Sequence, residues 1–297
     1  MTKRLLLIVN PCSGRAKMHT ELLKVIEILS AGGFSVTVYP TKYKGDATEY
    51  IGTLEDGDFE TAVVCGGDGT LNEVITGIMN KGLNIKLGYI PSGTLNEWSS
   101  GLKISRNIET AAADIINGCE TTLDIGKFND KYFSYTASFG AFTSASYSAP
   151  QDVKNVLGQA AYFFEGIKSL ANIKPIHLKF THQDKVIEGD FLFGAISNSL
   201  SVGGIVKYDN TKVELNDGEF EVLLIRNPDN ILKLQPIIDG ILRRDFTREG
   251  MEFFRTKDIL IETDENVSWT LDGEYAEGQP KMRVENLHKA ITFILPN

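Results

Sequence analysis

Short apolar runs alternate with a helical pattern in the first part of the chain. Arg4–Val9, Thr61–Cys65 and Lys86–Ile90 are apolar along almost their whole length, as strands buried on both faces are. Phe34–Tyr39 alternates apolar and polar residues, and the apolar positions between Leu22 and Leu29 have the spacing of an amphipathic helix. This order of strands and helices predicts a doubly wound α/β domain with a parallel sheet over residues 1–120.

The second part of the chain is rich in strand patterns. Turn signals such as Asn129-Asp130 and Asn216-Asp217-Gly218 separate them, and helical patterns interrupt at residues 156–170 and 231–246. We expect a mostly antiparallel β-sandwich domain over residues 121–297, whose last strand could return to either domain. Because no low-complexity linker marks the boundary, we also expect a tight interface with a cleft between the domains. The predicted strands are 122–128, 132–139, 176–181, 186–197, 220–226, 259–263, 267–271 and 290–295.

Composition and charge narrow the class of protein. The chain has 297 residues, of which 42% are hydrophobic and 23% charged, as in soluble globular proteins. A net charge of −9 argues against a nucleic-acid-binding protein, which would carry a basic excess. No apolar stretch is long enough to span a bilayer and no cleavable leader precedes the first strand, so we expect a cytoplasmic or peripheral membrane protein. Cys12, Cys65 and Cys119 are too widely spaced to suggest a disulfide framework or a zinc site.

The segment V-V-C-G-G-D-G-T-L-N-E-V at residues 63–74 carries the clearest chemical signal. Three glycines within Gly66–Gly69 allow positive φ angles and a close approach of backbone to a ligand. Thr70 and Glu73 have the spacing of a capping box, which predicts a helix that begins at Thr70 with its positive end towards the loop. Such a loop suits a phosphate group, and Asp68 is placed to share a magnesium ion with it.

The same pentapeptide, G-T-L-N-E, occurs at Gly69–Glu73 and again at Gly93–Glu97. Each copy follows a predicted strand, so we expect both to begin a helix at the same sheet edge, where ligands of open α/β sheets bind. In the second copy Glu97 could be simply the second half of a capping box. A third loop, Asn10–Gly14, follows the first strand and offers backbone and side-chain donors that could hold phosphate.

With these residues assembled, the chain resembles the diacylglycerol kinase catalytic family of soluble bacterial lipid kinases, which also includes sphingosine and ceramide kinases. The G-G-D-G-T motif also occurs in close versions in NAD kinases and phosphofructokinases, so the late L-D-G-E motif makes the set specific. The resemblance implies a first domain like that of those enzymes and an active site in the cleft between the domains. The matching segments are Asn10–Gly14, Thr41 with Gly45–Ala47, Gly66–Val74, Pro91–Glu97, Asn216–Gly218 and Leu271–Glu274.

The resemblance also implies roles for individual residues. Glu274 would be the general base, although its place after the turn residues Asp272-Gly273 would otherwise suggest a solvated strand residue. Asp68 would help to hold magnesium on the phosphates, and a second, structural magnesium would bind the Asp217 side chain with carbonyl groups of Glu214 and Glu219. ATP would contact Asn10, Pro11, Cys12, Ser13, Gly14, Thr41, Gly66, Gly67, Asp68, Gly69, Thr70, Leu71, Asn72 and Thr94.

Two positions depart from the family pattern P-x-G-T-x-N-D-F-A-R. Glu97 replaces an aspartate that acts at the site, and it keeps the charge while adding one methylene of reach. Ser100 replaces an arginine, which removes a cation that would help to bind an anionic product or surface.

The resemblance implies an ATP- and magnesium-dependent kinase in peripheral contact with a membrane. It would phosphorylate a hydroxyl of diacylglycerol or a related lipid to give a phospholipid such as phosphatidate. Two alternatives stay open: an NAD-kinase-like enzyme, because of the shared G-G-D-G-T motif, and a nucleotide-binding regulator without turnover, because of Glu97 and Ser100. The sequence decides neither the lipid nor whether the protein forms a homodimer.

Overall fold

A computed structural model describes residues 3–13, 17–93, 96–140, 174–202, 206–208, 213–228, 230 and 233–297. The chain divides into two compact units, the first formed by Met1–Ile125 with Lys289–Asn297 and the second by Gly126–His288. The predicted helix at residues 156–170 lies outside the described residues. The sequence-based boundary after residue 120 falls within a strand, Cys119–Phe128, and the domain limits stay a prediction.

The first unit is built around a parallel sheet. Its strands pair in the order β2, β1, β3, β4 and the last part of β17, and these pairings are parallel. Strands β1, β3 and β4 are almost fully buried, whereas β2 alternates, as the sequence pattern predicts. The elements are β1 Lys3–Val9, α1 Lys17–Ala31, β2 Phe34–Pro40, α2 Asp46–Gly52, β3 Thr61–Gly66, α3 Asp68–Lys81, β4 Lys86–Pro91, α4 Glu97–Gly101, α5 Ile108–Asn117 and β5 Cys119–Phe128, with β17 Lys281–Leu295.

The second unit consists mainly of antiparallel strands. Strands β7, β9, β8, β14 and β17 follow one another in the sheet, with β15 and β16 beyond β7. Their side chains form a core rich in phenylalanine that includes the fully buried Trp269. A second cluster of buried residues includes the apolar side chains of α6. The elements are β6 Lys131–Phe133, β7 Thr136–Gly140, β8 Ile176–His182, β9 Lys185–Ser197, β10 Ser201–Val202, β11 Val206–Lys207, β12 Phe220–Arg226, α6 Leu234–Arg243, β13 Met251–Thr256, β14 Asp258–Glu262, β15 Ser268–Leu271 and β16 Glu274–Glu277.

The predicted fold class, an α/β part followed by a mostly antiparallel β part, is confirmed by these pairings. The second G-T-L-N-E copy opens a helix, as predicted, and does so at its last residue. Helix α4 begins only at Glu97, and Asn96 before it has a left-handed backbone with φ 47°. In the described part of the chain, none of the helices combines the length and hydropathy needed to cross a bilayer.

Candidate functional site

The loop after β1 is tied to the first turn of α3. The Asn10 side-chain amide donates to Thr70 Oγ1 at 2.9 Å, and Asn10 Oδ1 accepts a bond from the Cys12 backbone N–H at 2.9 Å. The hydroxyl of Ser13 donates to the Asn10 carbonyl at 2.8 Å and lies 2.7 Å from the hydroxyl of Ser92. Three separate loops of the first unit therefore meet at these side chains.

The glycines of this site serve a different purpose from the one predicted. Gly66, Gly67 and Gly69 are not among the described glycines with positive φ, and Gly67 has an extended backbone with φ −92°. A Cβ on Gly66 would lie 2.8 Å from the Thr70 Cβ, and one on Gly93 would lie 2.7 Å from the Gly67 Cα. The loop does not use the positive φ that its glycines allow, and Gly67 and Gly93 instead let two loops pack backbone against backbone.

Asp68 joins the two copies of the repeated pentapeptide. It is the first residue of α3, whose N-cap Gly67 provides no side-chain cap. Its Oδ2 accepts a bond from the Glu97 backbone N–H at 2.9 Å, and its Oδ1 lies 3.4 Å from the Tyr89 hydroxyl. Burial raises the pKa of the Asp68 carboxyl, and the hydrogen bonds from Glu97 and Tyr89 oppose that rise. The carboxylate therefore fixes the start of α4 beside the start of α3.

The capping box predicted for α3 is absent. The Thr70 hydroxyl accepts its bond from Asn10, and Glu73 Oε1 instead accepts a bond from the Gly45 backbone N–H at 2.8 Å. Gly45 has φ 93° and precedes α2, close in sequence to Thr41, whose N–H donates to the Val9 carbonyl at 2.8 Å. Glu73 thus holds the loop after β2 near the end of β1.

Most residues predicted to contact ATP come together in this part of the first unit. Pro11 and Cys12 lie in the loop after β1, and Leu71 and Asn72 lie in α3. Gly14 and Thr94 lie outside the described residues. Sequence reasoning missed Tyr89, Ser92 and the backbone role of Gly45, although the apolar strand before Ser92 could have marked its position at a strand end. The assignment to ATP stays a prediction.

Glu274 follows a hairpin turn in the second unit. Asp272 and Gly273 have φ angles of 50° and 83°, and Leu271 pairs with Glu274 across the turn, as the Asp-Gly dipeptide predicts. Glu274 is exposed at the first position of β16. Its role as a base stays a prediction.

The Asp272 side chain was not predicted to contribute to this region. Its carboxylate is 8% exposed and accepts hydrogen bonds from three consecutive backbone N–H groups. The donors are Ser134 at 2.6 Å, Tyr135 at 2.9 Å and Thr136 at 3.0 Å. The turn before Glu274 is therefore anchored to the segment between β6 and β7.

Asp217 is engaged by a cation of the chain itself. Its carboxylate pairs with the Arg255 guanidinium and accepts the Glu219 backbone N–H at 3.0 Å. Arg255 also lies 3.6 Å from the Glu219 carboxylate and 3.2 Å from Glu221, which is 1% exposed and whose pKa is raised to about 7, chiefly by burial.

A second magnesium ion at Asp217 would share that carboxylate with Arg255. Within the described ranges, no group of three or more His, Cys, Asp or Glu side chains could hold a metal ion. Glu214 is exposed, and a metal at Asp217 would have to compete with Arg255. The assignment of Glu214, Asp217 and Glu219 to a structural magnesium site therefore stays a prediction.

Comparison with known proteins gives a consistent result over the full chain. The family model of the diacylglycerol kinase catalytic domain matches residues 4–128. A diacylglycerol kinase of Staphylococcus saprophyticus is 32% identical over 298 aligned residues, which cover 100% of this chain and 97% of that protein. A diacylglycerol kinase of Staphylococcus aureus is also 32% identical, and the alignment covers 100% of this chain and 94% of that protein.

Solved structures agree with this result. The crystal structure of a diacylglycerol kinase from Bacillus anthracis superposes with a TM-score of 0.77 at 25% identity, over 99% of this chain and 97% of that one. A second structure from the same organism has a TM-score of 0.81 at 27% identity, with the same coverage.

The fold and these matches define the chain as a kinase, an enzyme that transfers a phosphoryl group to an alcohol. It belongs to the diacylglycerol kinase catalytic family, and its class is that of the lipid kinases.

Proposed function

We propose that the protein transfers the γ-phosphoryl group of ATP to the hydroxyl of diacylglycerol or a closely related lipid, giving phosphatidate or its analogue. The names of its full-length relatives support this substrate class. The observation that carries the proposal is the contact of the Gly67 and Gly93 loops at the start of α3, fastened by the bond from Glu97 to Asp68.

The start of α3 suits the phosphates of a nucleotide. The first N–H groups of a helix have no acceptor within it, and a bound anion satisfies them and the helix dipole together. Helix α3 has 14 residues and no side-chain cap, and its first turn contacts Asn10 through Thr70, while Gly67 before it contacts Gly93. We infer that ATP binds through Asn10–Gly14, Thr41, Gly66–Asn72 and Thr94.

Asp68 fits a magnesium ion carried by the nucleotide. Magnesium in such sites needs only one or two carboxylates in addition to phosphate oxygens and water. Asp68 is the acidic residue of the first turn of α3 and is half-buried, so its charge is poorly screened by water. When bound, the ion would neutralise the charge that develops on the phosphates. Glu97, whose N–H binds Asp68, would add a carboxylate close to that point.

Glu274 would act as general base. The lipid oxygen forms a bond to the γ-phosphorus while the bond from that phosphorus to the leaving ADP oxygen breaks, and the hydroxyl proton passes to the carboxylate. Glu274 is exposed and begins β16 directly after an anchored turn, so its backbone position is well defined. With a net charge of −9, the protein would approach a membrane through local cationic contacts, which salt weakens.

The test is transfer of radiolabelled phosphate from ATP to a panel of lipids in mixed micelles with magnesium. We expect labelled phosphatidate with the wild type, loss of most activity in Glu274→Gln, and near-normal activity in Glu277→Gln, which removes an exposed charge from the same strand. ATP binding without labelling of any lipid would refute the kinase proposal and favour a regulator. Formation of NADP from NAD would instead favour the NAD-kinase alternative.

A further inference from the structure

A cation from the connection between α4 and α5 lies beside the paired loops. Arg106 is exposed, and its Nη2 donates to the Ser100 hydroxyl at 3.5 Å. Ser100 belongs to α4, the short helix whose first N–H binds the Asp68 carboxylate. The Arg106 guanidinium thus contacts α4, the helix that is hydrogen-bonded to the start of α3.

The positive charge of Arg106 also reaches the centre of the site. It lowers the pKa of the Asp68 carboxyl and of the Tyr89 hydroxyl, in both cases against a larger rise caused by burial. These two groups lie 3.4 Å apart, and the Asp68 carboxylate also binds the Glu97 N–H, which follows the Gly93 loop. Arg106 is therefore electrostatically coupled to the place that would receive an anion.

The chemistry of the site calls for such a cation. A nucleotide polyphosphate carries several negative charges, whereas Asp68, Glu73 and Glu97 make this region acidic. Backbone N–H groups supply only partial charges. A guanidinium is always protonated, and its planar fork binds two phosphate oxygens at once.

We propose that Arg106 is a phosphate-binding cation of the first unit and supplies, beside position 100, the positive charge that the family pattern places there as an arginine. The proposal rests on the proposed use of ATP. On this proposal the positive charge missing at Ser100 is not lost. It is supplied from position 106, because the Arg106 side chain ends beside Ser100.

The test is calorimetric titration of the purified full chain with ATP and, separately, with adenosine. Arg106→Gln should weaken ATP binding roughly tenfold, since a charged hydrogen bond contributes about one such factor, and should leave adenosine binding unchanged. Lys103→Gln removes an equal charge from the same connection and should change ATP binding less than about twofold. Adding Ser100→Arg to Arg106→Gln should restore most of the ATP affinity.

Three results would overturn the proposal. The first is an ATP affinity of Arg106→Gln within about twofold of the wild type. The second is a loss of ATP affinity in Lys103→Gln as large as that in Arg106→Gln. The third is a loss of adenosine affinity in Arg106→Gln as large as its loss of ATP affinity, which would indicate a change of shape instead of charge. Failure of the double variant to regain affinity would refute the displacement of charge from position 100. A wild type that binds ATP but labels no lipid would refute the kinase proposal without affecting this one, because binding is measured without turnover.

Discussion

Asp272 allows a quantitative test of how the second unit supports Glu274. Its buried carboxylate accepts three backbone N–H bonds of 2.6, 2.9 and 3.0 Å. A hydrogen bond to a charged group contributes about 1.5–3 kcal/mol, and bonds that share one acceptor do not add fully. We therefore expect Asp272→Ala to lower the free energy of unfolding by about 3–5 kcal/mol, which is more than one such bond contributes and less than three independent bonds would.

Backbone strain at this position can be separated from the lost bonds. Asp272 has φ 50°, which alanine tolerates poorly and glycine accepts without strain. Asp272→Gly should therefore be about 1 kcal/mol less destabilising than the alanine variant. Asp272→Asn keeps one acceptor oxygen but turns an NH₂ group towards the donors, and we expect it to cost about 1–3 kcal/mol.

Urea unfolding followed by circular dichroism measures these differences, provided that the slope m is unchanged. The control is Asp184→Ala in the exposed turn between β8 and β9, which should stay within about 0.5 kcal/mol of the wild type. We expect kcat to fall in the alanine and glycine variants, because both loosen the turn before Glu274. An Asp272→Ala variant within about 1 kcal/mol of the wild type would refute the anchoring role.

Three further predictions test other parts of the structure. Gly93→Ala should destabilise the protein by about 1–3 kcal/mol and weaken ATP binding, because the added Cβ forces the loops apart. Gly101→Ala, at a position with open space around it, should do neither. A Gly93→Ala variant with unchanged stability and ATP affinity would contradict the close packing. Arg255→Gln should lower Tm, and added magnesium should raise the Tm of this variant more than that of the wild type, because Asp217 loses its paired cation. The same magnesium effect on Tm in both proteins would refute competition between Arg255 and magnesium for Asp217. His182→Phe should raise Tm, more at pH 5.5 than at pH 8. Among the residues that the structure describes, neither His182 ring nitrogen has a hydrogen-bond partner, and burial lowers the pKa of the imidazole, so falling pH favours the unfolded state. Equal gains at both pH values would contradict this prediction.

The sequence predicts the features that depend on neighbouring residues. The buried runs of β1, β3 and β4 and the Asp272-Gly273 turn follow from local patterns of hydropathy and allowed φ angles. Prediction from the sequence fails where a hydrogen-bond partner far away in the chain replaces the local one. Glu73 has the spacing of a capping residue, yet it binds the Gly45 N–H, 28 residues earlier.

Asp217 shows the same limit in the second unit. Its Asn-Asp-Gly setting indicates a turn, and the structure has the bond from Glu219 N–H that such a turn makes. Its second partner, Arg255, lies 38 residues further along the chain. No local pattern could connect them, because the pairing of β12 with β13 brings them together.

The repeated pentapeptide illustrates why a motif and its conformation are separate matters. Its first copy, Gly69–Glu73, is helical throughout, whereas in the second copy Asn96 turns left-handed and donates to the Gly93 carbonyl at 2.7 Å. The two copies differ in their partners, since only the first is preceded by Asp68, whose carboxylate binds the N–H of Glu97 in the second. The copies are thus complementary halves of one junction, and a glycine is needed at position 93 because a Cβ there would lie 2.7 Å from the Gly67 Cα.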